Sequence, residues 1–109
     1  MTASCPSRDW HDIYWSDVAR EDAARWIAVL PLAAIEQHGP HLPLGTDVMI
    51  AEAYLARVRD MLPTTLPATF LPVQAVGIST EHLAFPGTLT LPSDVAIRSW
   101  TALGESLAR

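Results

Sequence analysis

The stretch from Ile35 to Asp47, IEQHGPHLPLGTD, concentrates side chains that can bind a cation or move a proton. It holds two of the four histidines of the 109-residue chain, together with a glutamate and an aspartate. Glu36 and His38 stand two positions apart at the end of an apolar run, so on an extended backbone their side chains emerge on the same side. Two glycine-containing turns then lead to Asp47. One imidazole and two carboxylates form a ligand set suited to zinc, manganese or iron(II).

The same residues also have ordinary structural interpretations. Glu36 could pair with Arg57 or with a backbone amide, and His38 could be a buried, hydrogen-bonded histidine. Asp47 could simply start a helix, because a negative charge is favourable in the first turn. His41 lies between two prolines, which suits a structural role or an outer-sphere role at least as well as metal ligation.

Alternating strands and helices are predicted to position these side chains. The predicted elements, in chain order, are a helix over Ser16–Ala24, a strand over Trp26–Ala34, a helix over Val48–Leu62, a strand over Thr69–Gly77, a short strand within Thr88–Leu91, and a helix from Asp94 that Ser93 caps. The first strand is a continuous apolar run, which is typical of a strand buried on both faces. Strand, helix, strand, helix predicts an α/β fold with a parallel sheet. In such sheets the loops at the carboxyl ends of the strands carry the site.

Composition and charge narrow the function classes. The net charge is −5, from 7 basic and 12 acidic residues, and no Lys/Arg cluster occurs. Nucleic acid and anionic membranes are therefore not expected as partners. The single cysteine, Cys5, favours a reducing cytoplasm. The first residues lack the apolar core of a signal peptide, and no run approaches the roughly 20 apolar residues of a membrane span. Residues 1–15 are interpreted as an N-terminal tail and residues 16–109 as the folded domain.

Two motifs carry a family resemblance. EQHGPHLPLGTD and STEHLAFPGTLTL closely resemble two motifs of the creatininase (creatinine amidohydrolase) family, and the resemblance extends from about Trp26 to Leu107. It implies a metal-dependent amidohydrolase that cleaves a non-peptide C–N bond, in a cyclic or linear amide, with a metal-activated water. It also implies a three-layer α/β/α fold around a mostly parallel sheet. The expected substrate is a small-molecule amide, and the expected assembly is a homo-oligomer, often a hexamer.

The resemblance implies a centre with two divalent ions, which could be zinc, manganese or iron. On the matching positions Glu36 would bind one ion, His38 would bind the other, and Asp47 would bridge both. The resemblance also makes Ser79 a substrate-binding candidate, with His82 a weaker second. As the structural alternative, His82 and its neighbour Glu81 would only brace their loop.

The family's further metal-binding histidine and glutamate, and its catalytic histidine, come from segments that would follow Arg109. The chain is therefore expected to be the truncated N-terminal part of the domain, with an incomplete site, no catalytic residue of its own and no activity alone. It could instead be a non-catalytic fragment that assembles with other chains. As an enzyme, it could also be a formamide hydrolase of flavin or deazaflavin synthesis or a peptidase of the mycofactocin type.

Overall fold

A computed structural model describes residues 4–108; residues 1–3 of the predicted tail and Arg109 of the predicted domain lie outside the described residues. The helices are α1 (Trp15–Val18), α2 (Thr46–Met61) and α3 (Ser93–Leu107), the strands are β1 (Ile27–Val29) and β2 (Ala68–Phe70), and 3-10 turns occupy Trp10–Asp12, Glu21–Arg25 and Thr80–His82. The strands pair in parallel, and α2 lies between them in the chain. This arrangement confirms the predicted α/β class.

The chain divides into two compact units. The first comprises the chain up to Pro31 together with Ala51–Val73, and the second comprises Leu32–Ile50 and the chain from Gln74 onward. The predicted boundary at residue 15 is a different division, and it stays a prediction.

The two strands of the first unit differ in burial. Every residue of β2 is buried, whereas every residue of β1 is exposed. The prediction that Trp26–Ala34 forms an interior strand was therefore wrong in extent and in burial. Pro31 has no N–H to donate, so it cannot extend the ladder, and Pro72 has the same effect beyond β2. β2 is covered because it also has a partner on its other side, where its Phe70 N–H donates to the Arg8 carbonyl at 2.7 Å.

The segment before α1 is held against the first unit by Arg8. Its guanidinium donates to the carbonyl oxygens of Leu66 at 2.7 Å, Ala68 at 2.8 Å and Pro63 at 2.9 Å. The next residue, Asp9, forms a parallel bridge with Phe70. This part of the predicted tail therefore lies on the surface of the unit as a docked arm.

Within the second unit, single β-bridges replace the longer strands that the sequence predicts. Leu32 pairs with Gln74 in parallel, and Ile35 pairs with Leu89 in antiparallel orientation. The predicted strands over Thr69–Gly77 and Thr88–Leu91 therefore shrink, respectively, to β2 plus one bridge and to the bridge at Leu89.

Two of the helices, α2 and α3, follow their predicted spans closely, and the first predicted helix does not. α2 begins two residues before the predicted Val48, and α3 begins at Ser93. Ser93 is thus the first helical residue, and the capping position belongs to Pro92, so the predicted cap was wrong. The predicted helix over Ser16–Ala24 is split into α1 and the 3-10 turn Glu21–Arg25. Within residues 4–108 no helix combines the length and apolarity needed to cross a bilayer.

Candidate functional site

The loop that carries the first motif is fixed by residues far along the chain. The Leu89 N–H donates to the Ile35 carbonyl at 2.9 Å, and the Thr88 hydroxyl accepts from the Gln37 N–H at 3.2 Å. The loop also closes on itself, because the Glu36 N–H donates to the Leu44 carbonyl at 3.2 Å. The extended end of the first motif is therefore rigidly placed before the chain turns into α2.

Residues 88–91, the end of the second motif, also fix the beginning of that motif. The Leu91 N–H donates to the Gly77 carbonyl at 2.9 Å, and the Thr90 hydroxyl accepts from the Ser79 N–H at 2.7 Å. A Cβ at Gly77 would lie 2.6 Å from the Ala33 carbonyl oxygen, so only glycine allows this close approach. Residues 88–91 thus tie both motifs to one place in the second unit.

Glu36, His38 and Asp47 are brought together by this framework. Each offers a ligand atom, and these atoms lie within 4.8 Å of one another. His38 Nε2 is 3.2 Å from Asp47 Oδ2, and both side chains are half-buried. Asp47 stands in the first turn of α2. The three donors form what we call the primary cluster.

The primary cluster fits one divalent cation. Two ligands bound to tetrahedral zinc at about 2.0–2.1 Å lie about 3.3 Å apart, close to the separation between the His38 and Asp47 atoms. Two carboxylates and one imidazole also match the donor preferences of zinc, manganese and iron(II). Three protein donors, however, are fewer than the roughly four bonds that each ion of a tetrahedral pair requires.

A second group shares Glu36 with the primary cluster. Ligand atoms of Glu36, Glu81 and His82 also lie within 4.8 Å of one another. His82 Nε2 is 3.4 Å from Glu36 Oε2, and that carboxylate is largely buried, with 14% of the side chain exposed. Glu81 is more distant, at 3.8 Å from His82 Nε2, and is 65% exposed. His82 is therefore a near neighbour of the Glu36 carboxylate in this group.

Ser79 and His41, the two remaining candidates, belong to neither group of ligand atoms. Ser79 is fully buried, and its hydroxyl has no hydrogen-bond partner among residues 4–108. Its predicted contact with substrate would require that hydroxyl to become accessible, and the contact stays a prediction. His41 is exposed and belongs to neither group of ligand atoms within the described chain.

A cavity of about 460 Å³ adjoins the primary cluster within the second unit. It is lined by Gln37 and His38 on one side and by apolar side chains that include Leu42, Phe85 and Pro86. Its size is within the range of small-molecule sites, which are also mostly apolar with a few polar groups. The cavity brings residues of both motifs to one surface.

Sequence reasoning overlooked Gln37 as a functional residue. Strand alternation places it on the face opposite Glu36 and His38, yet its side-chain Nε2 lies 2.8 Å from His82 Nδ1. The two residues are 45 positions apart. No local pattern in the sequence signals this contact.

Three known proteins show what the chain is similar to. The mycofactocin precursor peptide peptidase of Mycolicibacterium smegmatis is 42% identical over 67 residues, which cover 60% of this chain and 27% of that protein. A mutant creatininase solved as the Zn–Zn type superposes with a TM-score of 0.76 at 28% identity, covering 94% of this chain and 41% of that one. A mutant creatininase complexed with creatine gives a TM-score of 0.76 at 27% identity, covering 94% and 40%.

The chain spans less than half the length of each of these proteins. The sequence profile of the creatininase family, described as creatinine amidohydrolase, matches residues 11–109. That match begins before the predicted limit at Trp26 and includes both motifs. With the α/β fold of the creatininase structures over nearly all its length, the chain belongs to the creatininase family.

Proposed function

We propose that the chain carries a divalent-metal centre of a hydrolase that cleaves amide C–N bonds. The observation that carries the proposal is the convergence of Glu36, His38 and Asp47, whose ligand atoms lie within 4.8 Å of one another. The family is one of amidohydrolases by description, and one similar creatininase structure is of the Zn–Zn type. Both findings support metal-dependent hydrolysis for this chain.

The three side chains have distinct tasks in this proposal. Glu36 and His38 would each hold one ion, and Asp47 would face both from the start of α2. A bound divalent ion would polarise the amide carbonyl and lower the pKa of water. The partial burial of the three side chains keeps bulk water from competing for their donor atoms. A second ion would need donors beyond these three.

The adjoining cavity is the proposed position of the substrate. Its apolar side chains suit the non-reacting part of an amide, and His38 and Gln37 are the polar residues of its lining. Ser79 and His82 were predicted from the sequence to contact the substrate. His82 is half-buried beside Glu36, whereas Ser79 would contact substrate only after a change that exposes its hydroxyl.

A peptide amide is the second candidate substrate, and a specific observation favours it. The curated relative named as a mycofactocin precursor peptide peptidase is 42% identical, whereas the creatininase structures are 27–28% identical. Leu42 and Phe85 of the cavity lining are exposed, so they are available to contact a longer substrate. Both candidates require hydrolysis of a C–N bond next to a carbonyl group.

Metal binding is tested directly on the chain. After chelator treatment, zinc and manganese are titrated calorimetrically into the wild type, Asp47→Asn and Asp94→Asn. Asp94 is the matched control, because it is an exposed acid in the first turn of α3. We expect at least one bound equivalent in the wild type, affinity at least about tenfold lower in Asp47→Asn, and no change in Asp94→Asn. Absence of binding in the wild type, or equal losses in both variants, contradicts the proposal.

The substrate class is tested with the metal-loaded chain. Creatinine and a mycofactocin precursor peptide are incubated separately, and the released products are identified by mass spectrometry. Cleavage of the peptide alone assigns the peptidase function, and conversion of creatinine alone assigns the cyclic amide. If neither reacts while metal binds, the chain carries the metal centre without catalysing hydrolysis alone, which is the expected inactivity, and the same two substrates are then tested on a full-length form; inactivity of that form with metal bound contradicts the hydrolase proposal.

A further inference from the structure

Gln37 has a side-chain orientation that its neighbours determine. Its Oε1 accepts a hydrogen bond from the Gly39 backbone N–H at 2.9 Å. A backbone N–H can only donate, so this end of the amide must be the oxygen. Its own backbone N–H is bound to the Thr88 hydroxyl, which anchors the residue from the other side. The amino end of the Gln37 side chain is therefore the end that faces His82.

The direction of the next hydrogen bond follows from that orientation. Gln37 Nε2 lies 2.8 Å from His82 Nδ1, and an amide nitrogen donates but does not accept. His82 Nδ1 must therefore accept, so it carries no proton. The proton of the neutral imidazole is then on Nε2, which lies 3.4 Å from Glu36 Oε2. The protonated nitrogen of His82 is thus the one nearer to the Glu36 carboxylate.

The hydrogen bond at Nδ1 of His82 distinguishes the His82–Glu36 pair from the His38–Asp47 pair, which their distances alone do not. The His38–Asp47 and His82–Glu36 separations are 3.2 Å and 3.4 Å, and both suit two ligands of one cation. A histidine nitrogen binds a metal only through a free lone pair, however. Nε2 of His38 also carries a proton when it donates to Asp47, but its Nδ1 has no hydrogen-bond partner among residues 4–108, so the proton can move to Nδ1 and release the Nε2 lone pair. Nε2 of His82 cannot be released in this way, because the Nδ1 lone pair accepts from Gln37.

We propose that Gln37 is a positioning residue that holds His82 in the Nε2–H tautomer, so that His82 orients Glu36 and does not itself bind a cation. A protonated nitrogen 3.4 Å from one carboxylate oxygen attracts that oxygen and leaves the other one for a cation, as outer-sphere partners do for metal ligands. This gives His82 a positioning role in place of the predicted substrate contact. The role of Glu36 as a ligand rests on the proposed function, whereas the tautomer of His82 does not.

The tautomer is measured by long-range ¹⁵N–¹H correlation NMR on the metal-free chain with ¹⁵N-labelled histidine. At about pH 8 an ordinary histidine is neutral, so its two nitrogens report which one is protonated. His82→Asn assigns the signals, and the exposed His11 serves as internal control. We expect His82 to show the Nε2–H pattern in the wild type. In Gln37→Glu we expect a protonated Nδ1, because a carboxylate only accepts.

An Nδ1–H pattern in the wild type overturns the proposal, and so does an unchanged His82 pattern in a folded Gln37→Glu chain. If that variant does not fold, the wild-type spectrum alone decides. The His11 signals should be the same in both proteins, since a change there would mean a general disturbance and would count against a specific effect of Gln37.

The separate role in ligand orientation is measured by zinc titration. We expect His82→Ala to lower zinc affinity about 10–100-fold without changing the number of ions bound. His38→Ala should lose its bound zinc, and Glu81→Gln should behave as the wild type. A lower stoichiometry in both His82→Ala and Glu81→Gln would establish a second cation site and overturn the proposal. If the wild type binds no zinc, the proposed function fails, while the NMR result on His82 stands on its own.

Discussion

Individual side chains decide the chemistry of the second unit. The buried carboxylate of Glu36 is shared by two clusters, and its neighbours determine which of them can hold a cation. Nε2 of His38 is hydrogen-bonded to Asp47, but no residue among 4–108 holds the Nδ1 of His38, so its proton can move there and free Nε2 for a cation; Nδ1 of His82 is held by Gln37, so Nε2 of His82 stays protonated. Two histidines at similar distances from carboxylates therefore have opposite roles. The difference comes from the hydrogen bond on the far side of one ring.

A second residue-scale effect concerns Asp22 and the N-terminal arm. The Ser4 hydroxyl and backbone N–H both donate to Asp22 Oδ2, and the hydroxyl is the main reason why the pKa of Asp22 is lower than its ordinary value of 3.8. A lowered pKa means that the contact stabilises the folded state above the ordinary pKa. The contribution is lost as the pH falls through the lowered value.

We predict that Ser4→Ala raises the pKa of Asp22 part of the way toward 3.8, because the backbone N–H remains as a donor. Carboxyl ¹³C chemical shifts followed through an acid titration measure this change. Ser7→Ala, at another exposed serine of the arm, is the control and should leave the titration of Asp22 where it is. Equal titration curves of Asp22 in the two variants would show that the Ser4 hydroxyl is not the cause of its lowered pKa.

At the scale of elements, the site depends on close packing between extended segments in the second unit. Residues 88–91 bind backbone groups at the start of both motifs, partly through the Thr88 and Thr90 hydroxyls, and Gly77 allows the segment before the second motif to approach Ala33. The acceptors and donors on the motif side are backbone groups, so these contacts leave the side chains of Glu36 and His38 unoccupied. A change that separates the segments should disturb the site and the stability together.

We predict that Gly77→Ala destabilises the chain by about 1–3 kcal/mol, since the added Cβ would lie 2.6 Å from a carbonyl oxygen that cannot move freely. Gly104→Ala is the matched control in α3, where a Cβ meets nothing within 4 Å. It should stabilise by about 0.5–1 kcal/mol through helix propensity. Urea unfolding followed by circular dichroism measures both changes, and a neutral Gly77→Ala would show that the segments can part without loss.

Arg8 has the corresponding role in the first unit. Its planar guanidinium reaches several carbonyl oxygens of residues 62–68 at once, which a lysine ammonium cannot reproduce. We predict that Arg8→Lys lowers the free energy of unfolding by about 1–3 kcal/mol, as expected when charge-assisted hydrogen bonds are lost, the one to Ala68 being part-buried. Arg20→Lys, at an exposed ion pair with Asp22, should change it by less than about 0.5 kcal/mol. The same urea experiment compares the two variants, and equal effects would argue against a special role for the planar guanidinium of Arg8.

For the whole molecule, few large apolar side chains are fully covered. Among residues 4–108 the buried hydrophobic residues are Ala68, Phe70, Leu71 and Ala96. Many large apolar side chains are exposed, among them Trp15 at 83%, Met61 at 71% and Tyr54 at 69%. Exposed apolar surface of this kind favours association. Further copies of the chain or further parts of a longer domain would both cover such surface, so the expected homo-oligomer stays a prediction.

We predict that the melting temperature of the chain rises with protein concentration, because association stabilises the folded state by mass action. Calorimetric scans over a hundredfold range of concentration, together with sedimentation velocity, test this. A defined oligomer that binds no metal would favour a non-catalytic role. A melting temperature independent of concentration, with monomeric sedimentation, would contradict the predicted assembly.

The sequence by itself determined the parts of this protein that depend on local spacing. Glu36 and His38 are two apart on an extended segment, and Asp47 starts a helix whose apolar periodicity predicts its span, so the primary cluster and α2 could be predicted from residue order alone. The two motifs were enough to indicate the family. Ser93 was misjudged as a cap by one position, since helix ends depend on single backbone dihedrals.

Only the tertiary structure decided the features that depend on distant contacts. The apolar run that became β1 looks like an interior strand, yet its exposure depends on what lies beside it. The burial of Ser79 and the pairing of Gln37 with His82 join residues that no periodicity relates. The physical reason is that local pattern specifies which way a side chain leaves the backbone, whereas its partner and its proton are set by whatever the fold places opposite.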